Sequence, residues 1–387
     1  MNHRTVGFLA RSLPRRRARR IISVETKGAA VTQTSALDRL YEKVIAKGLC
    51  AACGACVGNC PYLVKYKGKT VKLDSCTRSD GKCYVYCPAA YFDPEPISQA
   101  IFNESYDNNG IGNFAEVKAS RSTFDEILAV AQGGGTVTSL MGMALNKGLI
   151  DAAVVTSGKG SGGFAGGVVA TTLEGVKGCA GSKFVGAHSL DALKEALQSG
   201  FTRIGIVGLP CQVRSLRKMQ LYDMKDQDLK QRISLVIGLF CNWSFSVGEF
   251  QSLIRTRMGT KEIRKFDVPP PPANQLRVET EDGVQIISLD ELKPLIQDAC
   301  RQCPDMTSEF ADVSVGMYEG RPGWNTLIIR SRAGLELVEM AIQSGVLQTE
   351  PFPVENLTHL RQASRNKKER VSRMTPEASG GHLACHD

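Results

Sequence analysis

Seven of the chain's 13 cysteines fall between Cys50 and Cys87, and no other feature narrows the possible folds as much. The first four read Cys50-Ala-Ala-Cys53-Gly-Ala-Cys56-Val-Gly-Asn-Cys60-Pro61. Two-residue gaps wrap a chain tightly enough for successive thiolates to reach different irons of a cuboidal cluster, while backbone N–H groups turn toward its sulfides. The proline then redirects the chain. Structural zinc pairs two CxxC units at a distance, and a disulfide knot needs an oxidising compartment that no secretion signal supports here.

The run repeats imperfectly as Cys76-Thr-Arg-Ser-Asp80-Gly-Lys-Cys83-Tyr-Val-Tyr-Cys87-Pro88, with Asp80 where a second cysteine would fall. The first run has the spacing of a bacterial ferredoxin. In the two-cluster ferredoxin arrangement the last cysteine of each run serves the other cluster. Cys50, Cys53, Cys56 and Cys87 are therefore expected to hold one 4Fe-4S cluster. Cys60, Cys76 and Cys83 would hold a second, with Asp80 or Ser79 as a harder oxygen ligand. A three-iron cluster, or no second cluster, stays open at that site, which gives two or three clusters in the whole chain.

At 387 residues the chain exceeds one hydrophobic core, and its 42% hydrophobic and 22% charged residues are those of a folded protein. The net charge of +9 is confined to two stretches. Residues 1–24 carry seven arginines and no acid, and residues 361–373 carry six basic residues against Glu369, which leaves the rest at −3. A nucleic-acid surface is not indicated. No apolar run reaches the roughly 18 residues of a spanning helix, so no transmembrane segment and a cytoplasmic location are expected. The expected organisation is a disordered basic extension over 1–40, with a transit peptide as the other reading. A small α+β ferredoxin-like domain follows over 41–93, a linker over 94–114, an α/β body with a mixed sheet over 115–357, and a disordered basic tail over 358–387.

The body alternates helical and strand-like segments: helices over 122–131, 138–146, 190–198 and 334–343, and strands over 151–156, 203–209, 233–240 and 326–330. Two strands end on cysteines, in Gly208-Leu209-Pro210-Cys211 and Gly238-Leu239-Phe240-Cys241. Sheet ends are where α/β proteins place their sites. With Cys300-Arg-Gln-Cys303-Pro304, four thiols are available for one more cluster, the alternative for each being a small buried apolar group. Gly133-Gly134-Gly135-Thr136-Val137-Thr138 precedes a helix and suits an anion, or is a flexible turn. Gly181-Ser182-Lys183 is a second candidate for a phosphate, with a solvated turn as its alternative. The glycine-dense stretch 158–167 reads equally as a mobile lid or a surface loop. Only His188 and His359 lie in the body, both read as structural, so the chemistry is expected to reside in cofactors.

Together these motifs resemble the beta-subunit family of coenzyme F420-reducing hydrogenases and dehydrogenases, which also contains a chlorophyll-pathway hydroxymethyl reductase and ferredoxin-linked vinyl reductases. Gly134 to Thr138, Ile150 to Val155, Gly181 to Lys183, Gly208 to Gln212, Gly238 to Cys241, Cys300 to Asp305, Ala311 to Gly316 and Gly323 to Thr326 carry the resemblance. It implies FAD held by Gly134, Gly135, Thr136, Val137 and Thr138 and by Gly181, Ser182 and Lys183. It implies a 4Fe-4S cluster on Cys211, Cys241, Cys300 and Cys303, and an iron–sulfur flavoprotein oxidoreductase acting between clusters and a two-electron partner. Coenzyme F420 or a similar small molecule would be that partner, and ferredoxin or another redox protein the one-electron partner. Lys183 is the candidate for polarising the flavin or binding its phosphate. A ferredoxin-dependent reductase of a tetrapyrrole-like substrate, or an electron-transfer subunit of a larger hydrogenase or dehydrogenase, are the alternatives.

Overall fold

The computed structural model describes residues 34–158, 165–224, 228–269 and 272–374. The expected extension up to residue 33, the centre of the glycine-dense loop and the chain beyond 374 lie outside the described residues. The described residues fall within one compact unit.

Its elements run α1 (Ala36–Leu40), the hairpin β1 (Leu63–Tyr66) and β2 (Lys69–Lys72), α2 (Lys82–Val85) and α3 (Pro94–Phe102). Then come β3 (Glu116–Ser122), α4 (Asp125–Val130), α5 (Thr136–Asn146), β4 (Ala152–Ser157), β5 (Gly166–Ala170), α6 (Leu173–Lys177), α7 (Asp191–Gln198), β6 (Ile204–Gly208) and α8 (Pro210–Leu221). The chain continues with α9 (Leu229–Arg232), β7 (Ile233–Leu239), α10 (Val247–Met258), β8 (Ile263–Asp267), β9 (Gln275–Thr280), β10 (Gly283–Ser288), α11 (Leu289–Leu292) and α12 (Asp298–Arg301). It closes with β11 (Val313–Met317), β12 (Asn325–Ile329), α13 (Arg332–Gln343), β13 (Leu347–Pro351) and α14 (Val354–Met374).

Eight strands form the expected mixed sheet, ordered β13-β3-β12-β11-β7-β6-β4-β5. Its four central strands β11, β7, β6 and β4 are parallel and the flanking ones antiparallel. The central strands are short apolar runs because both faces are covered. Along β4, Val154 faces one core and Val155 the other; Ile206 and Val207 divide the same way on β6, as do Val236 and Ile237 on β7. The 2.0-residue period of a strand produces this division. A three-stranded antiparallel sheet, β10-β9-β8, packs with α10 as a satellite core.

Three expectations need correction. Ala36, Leu37 and Leu40, assigned to the disordered extension, are buried in α1 and pack with Leu63 and Cys83. The stretch 94–114 is no free linker, since α3 buries Ile97 and Ser98, and Ile111 is fully covered. The basic tail is helical through residue 374 in α14, with Ser364 and Lys367 buried. The ferredoxin-like segment also shares a core with the body, because Cys53, Ala55 and Tyr86 pack with Leu193, Ile206 and Val213. Gly54 makes this approach possible. It has φ +95°, and a Cβ there would stand 2.8 Å from the Asp191 nitrogen and from the His188 carbonyl carbon. Leu190 donates its N–H to the Cys53 carbonyl at 3.0 Å beside it.

Candidate functional site

The parallel order places the carboxyl ends of β6 and β7 side by side, and each delivers a cysteine. After β6, Pro210 opens α8 at a position where its missing N–H costs nothing. Gln212 in the same turn accepts the Leu209 N–H at 2.7 Å and donates to the Ala187 carbonyl at 2.9 Å and Ser189 Oγ at 3.0 Å. Cys211 is thereby held in a braced first helical turn. After β7, Cys241 donates its own N–H to the Met306 carbonyl. Gly238 lets the 306–311 turn close on the strand, since a Cβ there would meet Ser308 Cβ at 2.3 Å.

The thiols gather in three groups. Cys50, Cys53, Cys56 and Cys87 lie within electrostatic reach of one another. Cys83 is coupled to Cys60 and Cys76. Cys211 is coupled to Cys241, Cys300 and Cys303, and also to Cys53. Cys56, Cys60, Cys76 and Cys83 pack in one apolar cluster with Cys50 and Cys87, and Cys53 packs with Cys211, so the groups adjoin one another. Asp80 is turned outward: its side chain is 73% exposed and its described partner is Arg78, at 3.8 Å.

Burial pushes the thiols of Cys53, Cys83 and Cys241 up to about 12, and those of Cys56 and Cys211 well above the ordinary thiol range. Desolvation penalises a bare thiolate, so such groups ionise only against a compensating cation. Thiols are the donors iron–sulfur clusters take, and Cys50, Cys53 and Cys56 stand at the two-residue spacing such a cluster uses.

A cavity of about 540 Å³ opens at the carboxyl ends of β4, β6, β7 and β11, and Cys241 is on its wall. Gly133, Gly135, Thr136, Val137 and Thr138 line one side; Gly181, Ser182 and Lys183 line another. Gly135, at φ +72°, caps α5 and turns the first N–H groups of that 11-residue helix outward from its axis. Gly134 is glycine for packing, since a Cβ would stand 2.7 Å from the Ser120 carbonyl and 2.9 Å from Asn325 Oδ1. Lys183 Nζ donates to the carbonyls of Cys179, Ala180 and Gly181 at 3.4, 2.7 and 3.0 Å, and burial lowers its pKa. It thus braces the turn and contributes a positive charge to the wall. The volume and apolar walls fit a flavin, with the α5 N-terminus and the Gly181 turn available to its phosphates.

Other residues at this site escaped the sequence reading. His359 lines the cavity and pairs through Nδ1 with Glu319 Oε2 at 3.0 Å, although it was read as structural. It comes from α14, whose charge hid its position. His188 is structural as expected, buried against Thr70 Oγ1 at 3.0 Å. Lys218 and Lys367 are buried beside the cysteine groups. Only their spacing on otherwise polar helices could have signalled this, and that signal is weak.

The fold is a mixed-sheet α/β protein with a cavity and cysteine thiols at the carboxyl ends of its central parallel strands, where proteins of this class place their sites. Residues 117–194 match the family description "Coenzyme F420 hydrogenase/dehydrogenase, beta subunit N-term", and residues 201–355 the corresponding C terminus. The chain is 31% identical over 268 residues to the coenzyme F420 hydrogenase subunit beta of Methanothermobacter thermautotrophicus, covering 68% of this chain and 94% of that protein. It is 28% identical over 343 residues to the coenzyme F420-dependent sulfite reductase of Methanocaldococcus jannaschii, covering 84% of this chain and 51% of that one. A chain of the F420-reducing [NiFe] hydrogenase complex from Methanosarcina barkeri superposes with a TM-score of 0.64 at 30% identity, over 71% of this chain and 95% of that one. The chain belongs to the coenzyme F420 hydrogenase/dehydrogenase beta-subunit family. Among the described residues, no helix is long and apolar enough to cross a membrane.

Proposed function

We propose that this chain is an iron–sulfur flavoprotein that exchanges two electrons with reduced coenzyme F420, or a similar small molecule, and single electrons with a redox protein. The observation that carries the reading is the packing of the thiols: Cys50, Cys56, Cys60, Cys76, Cys83 and Cys87 share one apolar cluster, Cys53 and Cys211 share the next, and Cys241 lies on the cavity wall. Cys50, Cys53, Cys56 and Cys87 would hold one 4Fe-4S cluster and Cys211, Cys241, Cys300 and Cys303 another. Cys60, Cys76 and Cys83 supply three thiolates to an outer one, its fourth position left to Asp80 or solvent. A bound flavin supplies the conversion between hydride and single-electron transfer.

The chain's own residues do the positioning. The first turn of α5 and the Gly181-Ser182-Lys183 turn accept anionic groups, Asn325 fixes the glycine loop from behind, and Val155, Val207 and Leu239 keep water from the cavity floor. His359, paired with Glu319 at the wall, presents its imidazole edge to a two-electron partner in the cavity. The likeness to a chain of a hydrogenase complex supports a second reading, an electron-transfer subunit of a larger assembly. Anaerobic stopped-flow mixing with reduced F420 tests the proposal: flavin and clusters bleach in wild type, and in Cys241→Ser flavin bleaches while cluster reduction slows at least tenfold. No flavin bleaching by reduced F420, with reduction by ferredoxin intact, would remove F420 from the proposal.

A further inference from the structure

Two lysines from separate helices are buried against the peptide carbonyls of cluster cysteines. Lys218, 4% exposed on α8, donates from Nζ to the Cys87 carbonyl at 2.8 Å and the Tyr91 carbonyl at 2.6 Å. Lys367, 5% exposed on α14, donates to the Cys241 carbonyl at 2.7 Å and the Asp305 carbonyl at 2.8 Å. Neither is paired with a carboxylate in these contacts, and a charge of this kind is buried only at a cost. Each spans from its own helix to the loop of a different thiol group. Helix α8 carries both Cys211 and Lys218, so one rigid element links the two groups. Helix α14 begins at residue 354, where the family match ends at 355, so Lys367 comes from beyond the matched region.

We infer that Lys218 and Lys367 are positioning residues that hold one positive charge each against the Cys50-Cys53-Cys56-Cys87 and Cys211-Cys241-Cys300-Cys303 clusters, raising the reduction potential of each. The inference rests on the proposed cluster assignment. Reduction adds negative charge to a cluster, so a fixed nearby cation in a dry setting favours the reduced form, and hydrogen-bonded loop carbonyls keep that cation in place.

The test is an anaerobic redox titration followed by electron paramagnetic resonance on the full chain, with iron and sulfide measured on the same samples. Lys218→Met is expected to lower the midpoint of the first cluster alone, and Lys367→Met that of the cluster at Cys211. The cluster signals are assigned by their loss in Cys56→Ser and Cys300→Ser. Each shift should reach a tenfold change in the one-electron equilibrium constant, about 59 mV. Lys218→Arg and Lys367→Arg keep the charge and should keep the wild-type midpoints. Unmoved midpoints at full iron content would overturn the inference and leave the cluster assignment standing. Cluster loss in a Met variant with retention in its Arg variant supports it; loss in both assigns the lysine to packing and overturns it. Wild-type protein that takes up no iron and sulfide overturns both this inference and the proposed function.

Discussion

Replacing Gly54 by alanine tests how the ferredoxin-like loop is joined to the body. The residue sits at φ +95°, and a β-carbon would meet the Asp191 nitrogen, the His188 carbonyl carbon and the His188 oxygen at 2.8, 2.8 and 2.9 Å. All three are backbone atoms, so no side-chain rotation relieves the contact. The left-handed backbone costs about 1–2 kcal/mol for a residue with a β-carbon, and overpacking against fixed atoms adds about 1–3 kcal/mol. Gly54→Ala should therefore destabilise the protein by about 2–5 kcal/mol, roughly 3–7 °C in unfolding midpoint for a unit this long. Gly58→Ala is the control in the same loop: its β-carbon would stand 3.5 Å from the nearest atom, Asp191 Cα, an ordinary contact. Thermal unfolding of the iron-replete protein, followed by circular dichroism, compares the two. Equal midpoints for the two variants would refute the argument that this glycine is required by the docking of the loop.

Arg330 is buried and makes five hydrogen bonds, to Ser314 Oγ, the carbonyls of Ile111, Asn113 and Thr307, and Thr307 Oγ1. Lysine has three donors, so Arg330→Lys should lose about 2–4 kcal/mol in denaturant unfolding; a loss under about 0.5 kcal/mol would contradict this. Burial, with Lys65 nearby, holds His188 down to about 4. Its contribution is present above the ordinary histidine range and is lost as pH falls toward 4, a fall of roughly 3 kcal/mol, and His188→Gln should flatten that slope in unfolding measured from pH 7 to 4. Asp80→Ala should leave iron per chain unchanged, because Asp80 is exposed and faces Arg78, whereas Cys76→Ser should remove the outer cluster. Iron analysis of the two variants decides between an oxygen ligand and an open position.

The cysteine runs in 50–60 and 76–87 were legible because their spacing is local in sequence, and the two runs pack together, with Cys50, Cys56 and Cys87 in one apolar cluster. The central strands were legible as short apolar runs. β8, β9 and β10 were not, because β10 exposes Val284 and Ile286 and has no periodic signal to separate it from a loop. Helix α14 read as a solvated tail since its six basic residues over 361–373 outweigh the few positions that pack. Lys367 shows why: its burial depends on carbonyls contributed by Cys241 and Asp305, far away in sequence. The docking at Gly54 was invisible for the same reason, as the clash that forbids a side chain comes from residues 188–191.

The most direct test of the central claim is the stoichiometry of iron, acid-labile sulfide and FAD in anaerobically purified, reconstituted protein. The account predicts about 11–12 iron per chain, matching two complete 4Fe-4S clusters and an outer one with a labile iron, together with one FAD. Protein that holds four iron or fewer, or binds no flavin, would contradict it.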